Sequence, residues 1–266
     1  MTAAVATSAK AQAGKQGAEF LRMENVSRHF GTLKAVDGVT FDMRAGELRA
    51  VIGPNGAGKT TFFNLISGLL PPTDGEVVFE NETITQQTIV KRVAKGIVRT
   101  FQITEILPDL SVFENIRIGV ETEAKLNSKP WINRGQRDMV HGRVNDLIQL
   151  VGLNGKSNRT VGELAHGDQR VVEVAIALSQ KPRLLLLDEP TAGMGDTETD
   201  HMVDLIRRLH EDQNMSILFI EHDMDIVFGI AQRITVLDQG RVLAEGTAKE
   251  ISNDPKVRTA YLGTAE

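Results

Sequence analysis

The sequence predicts an α/β fold, a mostly parallel sheet interleaved with helices and interrupted by a helical insertion. Three observations predict it. Short apolar runs of strand length alternate with segments of helical period. A Gly-rich turn joins one such strand directly to a helix. Between residues 103 and 165 strand signals vanish and helical patterns take over.

In chain order, residues 1–18 are small and polar and read as a loose tail. Leu21–Asn25, Val39–Met43 and Glu47–Ile52 read as strands. A helical pattern runs from Lys59 to about Leu69 and stops at Pro71-Pro72. Val77–Phe79 and Ile97–Phe101 are further short strands. Helical patterns at Val112–Ile118 and Arg137–Val151 flank a polar stretch, 121–136, which holds the single Trp, Trp131. The α/β core then resumes with a helix over 168–179, a strand at Leu184–Leu187 and a helix over 197–210. A strand at Ser216–Ile220, a short helix after Asp223, and strands near Ile234–Leu237 and Arg241–Ala244 complete it. The expected organisation is a tail (1–18), a first core part (19–102), a helical subdomain (103–166), a second core part (167–251) and a C-terminal extension (252–266).

Composition narrows the function. The 266 residues are 41% hydrophobic and 24% charged, enough for one large core or two small ones. There is no cysteine, so disulfides, thiolate metal sites and a cysteine nucleophile are excluded. The formal net charge of −5 argues against a chain built to neutralise nucleic-acid phosphates. No apolar run approaches the roughly 18 residues of a membrane-spanning helix. The N-terminus has no apolar core of the secretory kind. Any link to a membrane is therefore expected to run through a partner.

Gly53-Pro54-Asn55-Gly56-Ala57-Gly58-Lys59-Thr60 matches the phosphate-loop pattern G-x-x-x-x-G-K-[ST]. It follows an apolar strand and opens a helix, as the mechanism requires. Glycines let the backbone wrap closely, so successive N–H groups face the phosphates, and the helix start adds its positive dipole end. Lys59 is expected to reach the β- and γ-phosphates, Thr60 to bind Mg²⁺, and Thr61 to extend the nucleotide-binding set. Downstream, Leu184–Leu187 forms a buried strand that ends in Asp188-Glu189. Adjacent strand residues point opposite ways, so the two acids take different jobs. Asp188 is expected to support Mg²⁺, directly or through water, and Glu189 to activate the attacking water as general base.

With these motifs in place, the sequence resembles the ATP-binding subunits of ABC transporters over about residues 20–262. Gln102, in Arg99-Thr100-Phe101-Gln102, resembles the Q-loop glutamine of that family. Leu164-Ala165-His166-Gly167-Asp168-Gln169 sits where the family signature belongs, and His222 in Ile220-Glu221-His222-Asp223 resembles the switch histidine. Phe30 lies where the family places an aromatic ring against adenine. The resemblance implies a P-loop, RecA-like core with an antiparallel β subdomain and an inserted helical subdomain. It implies that Gln102 contacts the metal or lytic water and senses the membrane partner, and that His222 bonds the γ-phosphate. It also implies that Ala165, His166, Gly167 and Asp168 face a nucleotide held by a second ATPase subunit.

Several segments are together similar to ATPases of branched-chain amino acid importers and their urea and amide relatives. These are Ala50-Val51-Ile52-Gly53-Pro54-Asn55, Ser111-Val112-Phe113-Glu114-Asn115, the polar insertion near 121–140, Glu221-His222-Asp223-Met224 and Ala260-Tyr261-Leu262-Gly263. Such importers pair two ATPase subunits with two polytopic membrane permease subunits and an external solute-binding protein. The resemblance thus implies a peripheral place on the cytoplasmic face of the membrane, ATP and Mg²⁺ as cofactors, and no nucleic-acid partner. The alternative is a soluble ABC-type ATPase with a non-transport partner; the acidic balance and the absence of a basic tract weigh against it.

The chain departs from the family signature Leu-Ser-Gly-Gly-Gln. Ala165 stands at the serine, His166 at the first glycine and Asp168 at the glutamine, and Gly195 stands where many members have aspartate. Backbone amides at this helix start survive such changes, but the hydroxyl is lost. A hydrogen bond to a charged group is worth about 1.5–3 kcal/mol. Two readings stand: a heterodimer with one strong and one weaker site, favoured over a homodimer, or ordinary subfamily drift with two working sites.

Overall fold

The computed structural model describes residues 19–100, 106–126, 131 and 133–262. The expected tail, and Phe101 and Gln102 with it, lie outside the described residues. Two sheets organise the rest. β1 (Glu19–Phe30), β2 (Leu33–Arg44), β4 (Asp74–Phe79) and β5 (Glu82–Thr83) form an antiparallel sheet in the order β2-β1-β4-β5. β3 (Leu48–Ile52), β6 (Ile97–Arg99), β7 (Leu184–Asp188), β8 (Ser216–Ile220), β9 (Arg233–Asp238) and β10 (Arg241–Gly246) form the second, ordered β10-β9-β3-β8-β7-β6. Its strands are parallel except β10, which folds back antiparallel on β9.

Every residue of β3, β7 and β8 is buried. Their side chains alternate between two apolar cores, as a pleat dictates. Leu184 and Leu186 join Phe62 and Phe63 on the side of the antiparallel sheet. Leu185 and Leu187 join Val172 and Leu205 on the other. A strand covered on both faces must read as a continuous apolar run, which is why four consecutive leucines occur here.

The helices are α1 (Lys59–Ser67), α2 (Ile89–Ala94), α3 (Val112–Glu123), α4 (Arg134–Leu150), α5 (His166–Ser179), α6 (Asp196–Glu211), α7 (Met224–Ile230), α8 (Ala248–Asn253) and α9 (Pro255–Leu262). Among the described residues none is long and apolar enough to cross a membrane. Reciprocal capping boxes start α3 (Ser111 with Glu114), α4 (Asn133 with Gln136) and α8 (Thr247 with Glu250). At Glu114, hydrogen bonds from the Ser111 backbone and hydroxyl hold the carboxyl below its usual range.

The structure corrects the sequence reading in places. The mostly parallel sheet is one of two, and the antiparallel subdomain implied by the family resemblance is the other. β1 and β2 each run 12 residues, because mutual pairing carries Arg28, His29 and Lys34 into strand despite their polarity. α3 continues to Glu123 and α4 starts at Arg134, so both helices take residues from the stretch read as a polar link. α5 starts at His166, two residues early, which puts His166, Gly167 and Asp168 in its first turn. The strand at 97 ends at Arg99. β5, α2, α8 and α9 had no sequence expectation.

Candidate functional site

The C-terminal ends of β3, β7 and β8 lie side by side, where open α/β sheets collect their ligand-binding loops. β3 leads into the loop Gly53–Gly58 and α1. Two glycines there are steric necessities. Gly53 has φ 155° and a Cβ on it would lie 2.1 Å from the Leu237 carbonyl oxygen; Gly58 has φ 99° and a Cβ would lie 2.3 Å from that of Ala35. The loop is thus wedged between β9 and β2. The Gly240 N–H donates to the Ala57 carbonyl at 3.0 Å and the Asp37 N–H to that of Gly240 at 2.8 Å, which pins it further. First-turn amides of α1 have no intrahelical partner and remain free to meet an anion.

Lys59 curls over the loop, its Nζ donating to the carbonyls of Gly53 at 2.6 Å and Pro54 at 3.1 Å. Burial pushes its pKa down, against the opposing charges of Glu189 and Asp188. An ammonium braced by its own loop and short of water is prepared for phosphate oxygens.

Asn55, Gly56, Ala57, Gly58, Lys59, Thr60 and Thr61 form one wall of an open cleft of 940 Å³, and Glu189 and His222 stand on another. Glu189 follows β7 with φ 50°, an uncommon left-handed conformation for a non-glycine. Its Oε1 lies 2.7 Å from His222 Nε2. Asp188 points the other way into the core, 5% exposed, with Oδ2 accepting from Arg99 Nη2 at 2.5 Å. The two neighbouring acids therefore do occupy different environments, as strand alternation required.

Other expectations fare differently. Phe30 ends β1 and is 44% exposed, with the Arg28 guanidinium 4.8 Å from its ring centroid. It is not among the residues lining the cleft, whereas its hairpin neighbours Thr32 and Leu33 are. Gln102 lies outside the described residues. Ala165, His166, Gly167 and Asp168 do not line the cleft either. They start α5 elsewhere, with Ala165 and His166 exposed. Asp168 Oδ2 accepts from Lys156 Nζ at 2.6 Å, so its charge is answered within the chain.

Residues the sequence reading passed over complete the site. Glu221 is buried beside His222 and accepts from the Thr191 N–H and hydroxyl (3.0 and 2.6 Å) and from the His222 N–H (3.1 Å). It locks the loop after β7 to the end of β8, and so sets Glu189 and His222 relative to each other. Glu198 accepts from the Gly167 N–H at 3.2 Å and the Gly195 N–H at 3.3 Å, joining the start of α5 to the same loop. At the cleft rim Asp37 accepts from Arg241 at 2.6 Å; that hydrogen bond, with help from Lys34, holds its carboxyl below the usual range despite some desolvation. Among the described residues no group of three His, Cys, Asp or Glu could hold a metal alone. Thr60 lines the cleft, whereas Asp188 is not among its lining residues; both carry hard oxygen donors, the kind that suit an ion shared with phosphates, as Mg²⁺ commonly is.

Known proteins place this geometry. A family model described as ABC transporter matches residues 36–192, more than half of the chain, taking in the phosphate loop, the start of α5 and Asp188-Glu189. The chain belongs to the ABC transporter family. A second model, described as branched-chain amino acid ATP-binding cassette transporter, matches residues 241–266 of this cassette. The cassette is 39% identical over 254 residues to the high-affinity branched-chain amino acid transport ATP-binding protein LivG of Salmonella typhimurium, covering 92% of this chain and 98% of that one. It is 37% identical over 251 residues to the corresponding protein BraF of Pseudomonas aeruginosa, with the same coverage. Among solved structures it is similar to the ADP conformation of MJ1267, an ATP-binding cassette of an ABC transporter. That match has a TM-score of 0.82 and 34% identity over 92% of this chain and 99% of that one.

Proposed function

We propose that the cassette is the ATP-binding and ATP-hydrolysing subunit of an importer for branched-chain amino acids or a related amide or urea. The observation that carries this is the pairing of Glu189 and His222 at 2.7 Å across from the phosphate loop of the same cleft. The names of the LivG and BraF relatives support transport over a soluble, non-transport ATPase.

In this reading the backbone N–H groups of the loop, which Pro54 lacks, and the Lys59 ammonium bind the β- and γ-phosphates. Thr60, Asp188 and Gln102 hold Mg²⁺, which when bound neutralises phosphate charge. Glu189 takes a proton from the attacking water, and the His222 imidazole, beside that carboxylate, hydrogen-bonds the γ-phosphate. Phe30 packs against the adenine from the hairpin rim. The start of α5, Ala165–Asp168, serves the nucleotide of a second ATPase subunit, since it stands apart from this chain's own cleft. A heterodimer is the favoured partner arrangement, with a homodimer as the other. Permease subunits sit against the helical subdomain near Gln102–Asn115, a solute-binding protein acts indirectly, and the assembly lies on the cytoplasmic face of the membrane. Closure of the dimer on ATP and its opening after hydrolysis supply the differential binding that moves the permease.

The test compares wild type with Glu189→Gln in Mg-ATP turnover, with dimerisation followed by light scattering. Expected is a loss of turnover of at least about 100-fold, with nucleotide binding and an ATP-held dimer retained. A variant that turns over at the wild-type rate overturns Glu189 as the base.

A further inference from the structure

Arg99 ends β6, whose other residues, Ile97 and Val98, are plain core. Its guanidinium is buried, and a buried cation on a core strand is a costly choice where an apolar side chain would pack. What it touches gives the reason. Nη2 donates to Asp188 Oδ2 at 2.5 Å and Nη1 donates to Asn64 Oδ1 at 2.5 Å. Cζ lies 5.6 Å from the centroid of the Phe63 ring, which limits its tilt. Asn64 is on α1, four residues after Thr60 and so on the same helical face. Arg99 therefore joins the face of α1 that carries Thr60 to one oxygen of Asp188. One guanidinium thus engages Oδ2 of Asp188 and tethers that carboxylate to α1.

We propose that Arg99 is the positioning residue of the metal donors, setting the Asp188 carboxylate against Thr60 by clamping Asp188 and Asn64 together. The proposal rests on the reading of Thr60 and Asp188 as Mg²⁺ donors. It needs no contact between Arg99 and nucleotide. It predicts an effect on metal affinity that a purely structural residue would not produce.

The experiment uses the full chain. A fluorescent ATP analogue is titrated in EDTA and again with Mg²⁺, and Mn²⁺ binding in the presence of a non-hydrolysable ATP analogue is read by electron paramagnetic resonance. Thermal unfolding checks that each variant is folded. For Arg99→Gln the expected result is nucleotide affinity in EDTA within about twofold of wild type, with the affinity gained from Mg²⁺ reduced at least about tenfold, the size typical of lost outer-shell partners. Mn²⁺ binding weakens in parallel, and Arg99→Lys recovers part of it. Asn64→Leu, which removes the second anchor and keeps the charge on Asp188, shows the same loss in smaller degree; it decides the matter if Arg99→Gln does not fold. A wild-type metal gain in the folded variants overturns the proposal, as does an equal fall of affinity with and without metal. Asp188→Asn separates the two levels. If it loses the metal gain while Arg99→Gln keeps it, the clamp alone is wrong. If it too keeps the gain, the donor reading falls and the clamp with it.

Discussion

Asp168 carries a negative charge into the first turn of α5, and Lys156 meets it at 2.6 Å. Set near phosphate, that aspartate would be a like charge. The structure supplies the counter-charge from 12 residues upstream. The pair is partly exposed, so its worth is at most about 1 kcal/mol. Lys156→Ala is accordingly expected to slow turnover of the assembled complex by about two- to fivefold, and Asp168→Asn in the same background to restore it. A double variant no faster than Lys156→Ala would show that the charge of Asp168 is not what Lys156 manages. The same scale shows what motif reading leaves out. Glu189, His222 and Lys59 are visible as letters, but Glu221 holds three donors that fix the distance between two of them. It sits in the quoted Ile220-Glu221-His222-Asp223 and nothing in its spacing distinguishes it from a surface acid. Its partner, Thr191, is 30 residues away.

At the scale of elements, α1 carries the phosphate loop's lysine and threonine, and its far end is held by an unexpected residue. Arg92, on the unforeseen α2, is fully buried and donates to the carbonyls of Leu65 (2.6 Å), Ile66 (2.8 Å), Thr85 (3.0 Å) and Gln87 (3.1 Å). It satisfies carbonyls that the end of α1 leaves open and places a cation at the negative pole of that helix. Burial pushes its pKa down to about 10, still charged at neutral pH. Arg92→Ala strands several buried acceptors, and the expected cost is about 3 kcal/mol or more, read as a lower denaturant midpoint with an unchanged m-value. A loss below about 1 kcal/mol would mean that water replaces the guanidinium. Long periodic helices and fully buried strands were legible, since periodicity and apolar runs are local. β1 and β2 were under-read because pairing, not composition, extends them.

At the scale of the whole molecule, the strand order decides which motifs meet. β3, β8 and β7 are neighbours, so the phosphate loop, His222 and Glu189 converge from positions up to 169 residues apart. The start of α5 is not among the residues that line that cleft. Ala165 caps α5 without a side-chain hydrogen bond. Ala165→Ser adds a hydroxyl at that exposed helix start. In the assembled complex it is expected to raise turnover or nucleotide affinity about tenfold, the equivalent of one hydrogen bond to a charged group. No gain would favour two sites that already work alike.

The sequence by itself determined the nucleotide chemistry, because a phosphate loop needs consecutive backbone amides, a lysine and a hydroxyl, all adjacent along the chain. It likewise determined the buried strands, whose apolar runs are local. Tertiary structure alone decided that Asp188 is clamped by Arg99, that Glu221 locks His222 to the loop beyond Glu189, that Lys156 answers Asp168, and that Ala165–Asp168 stand away from the cleft. The first three are contacts between groups distant along the chain. Such contacts follow from sheet order and register, and residue type and spacing carry neither.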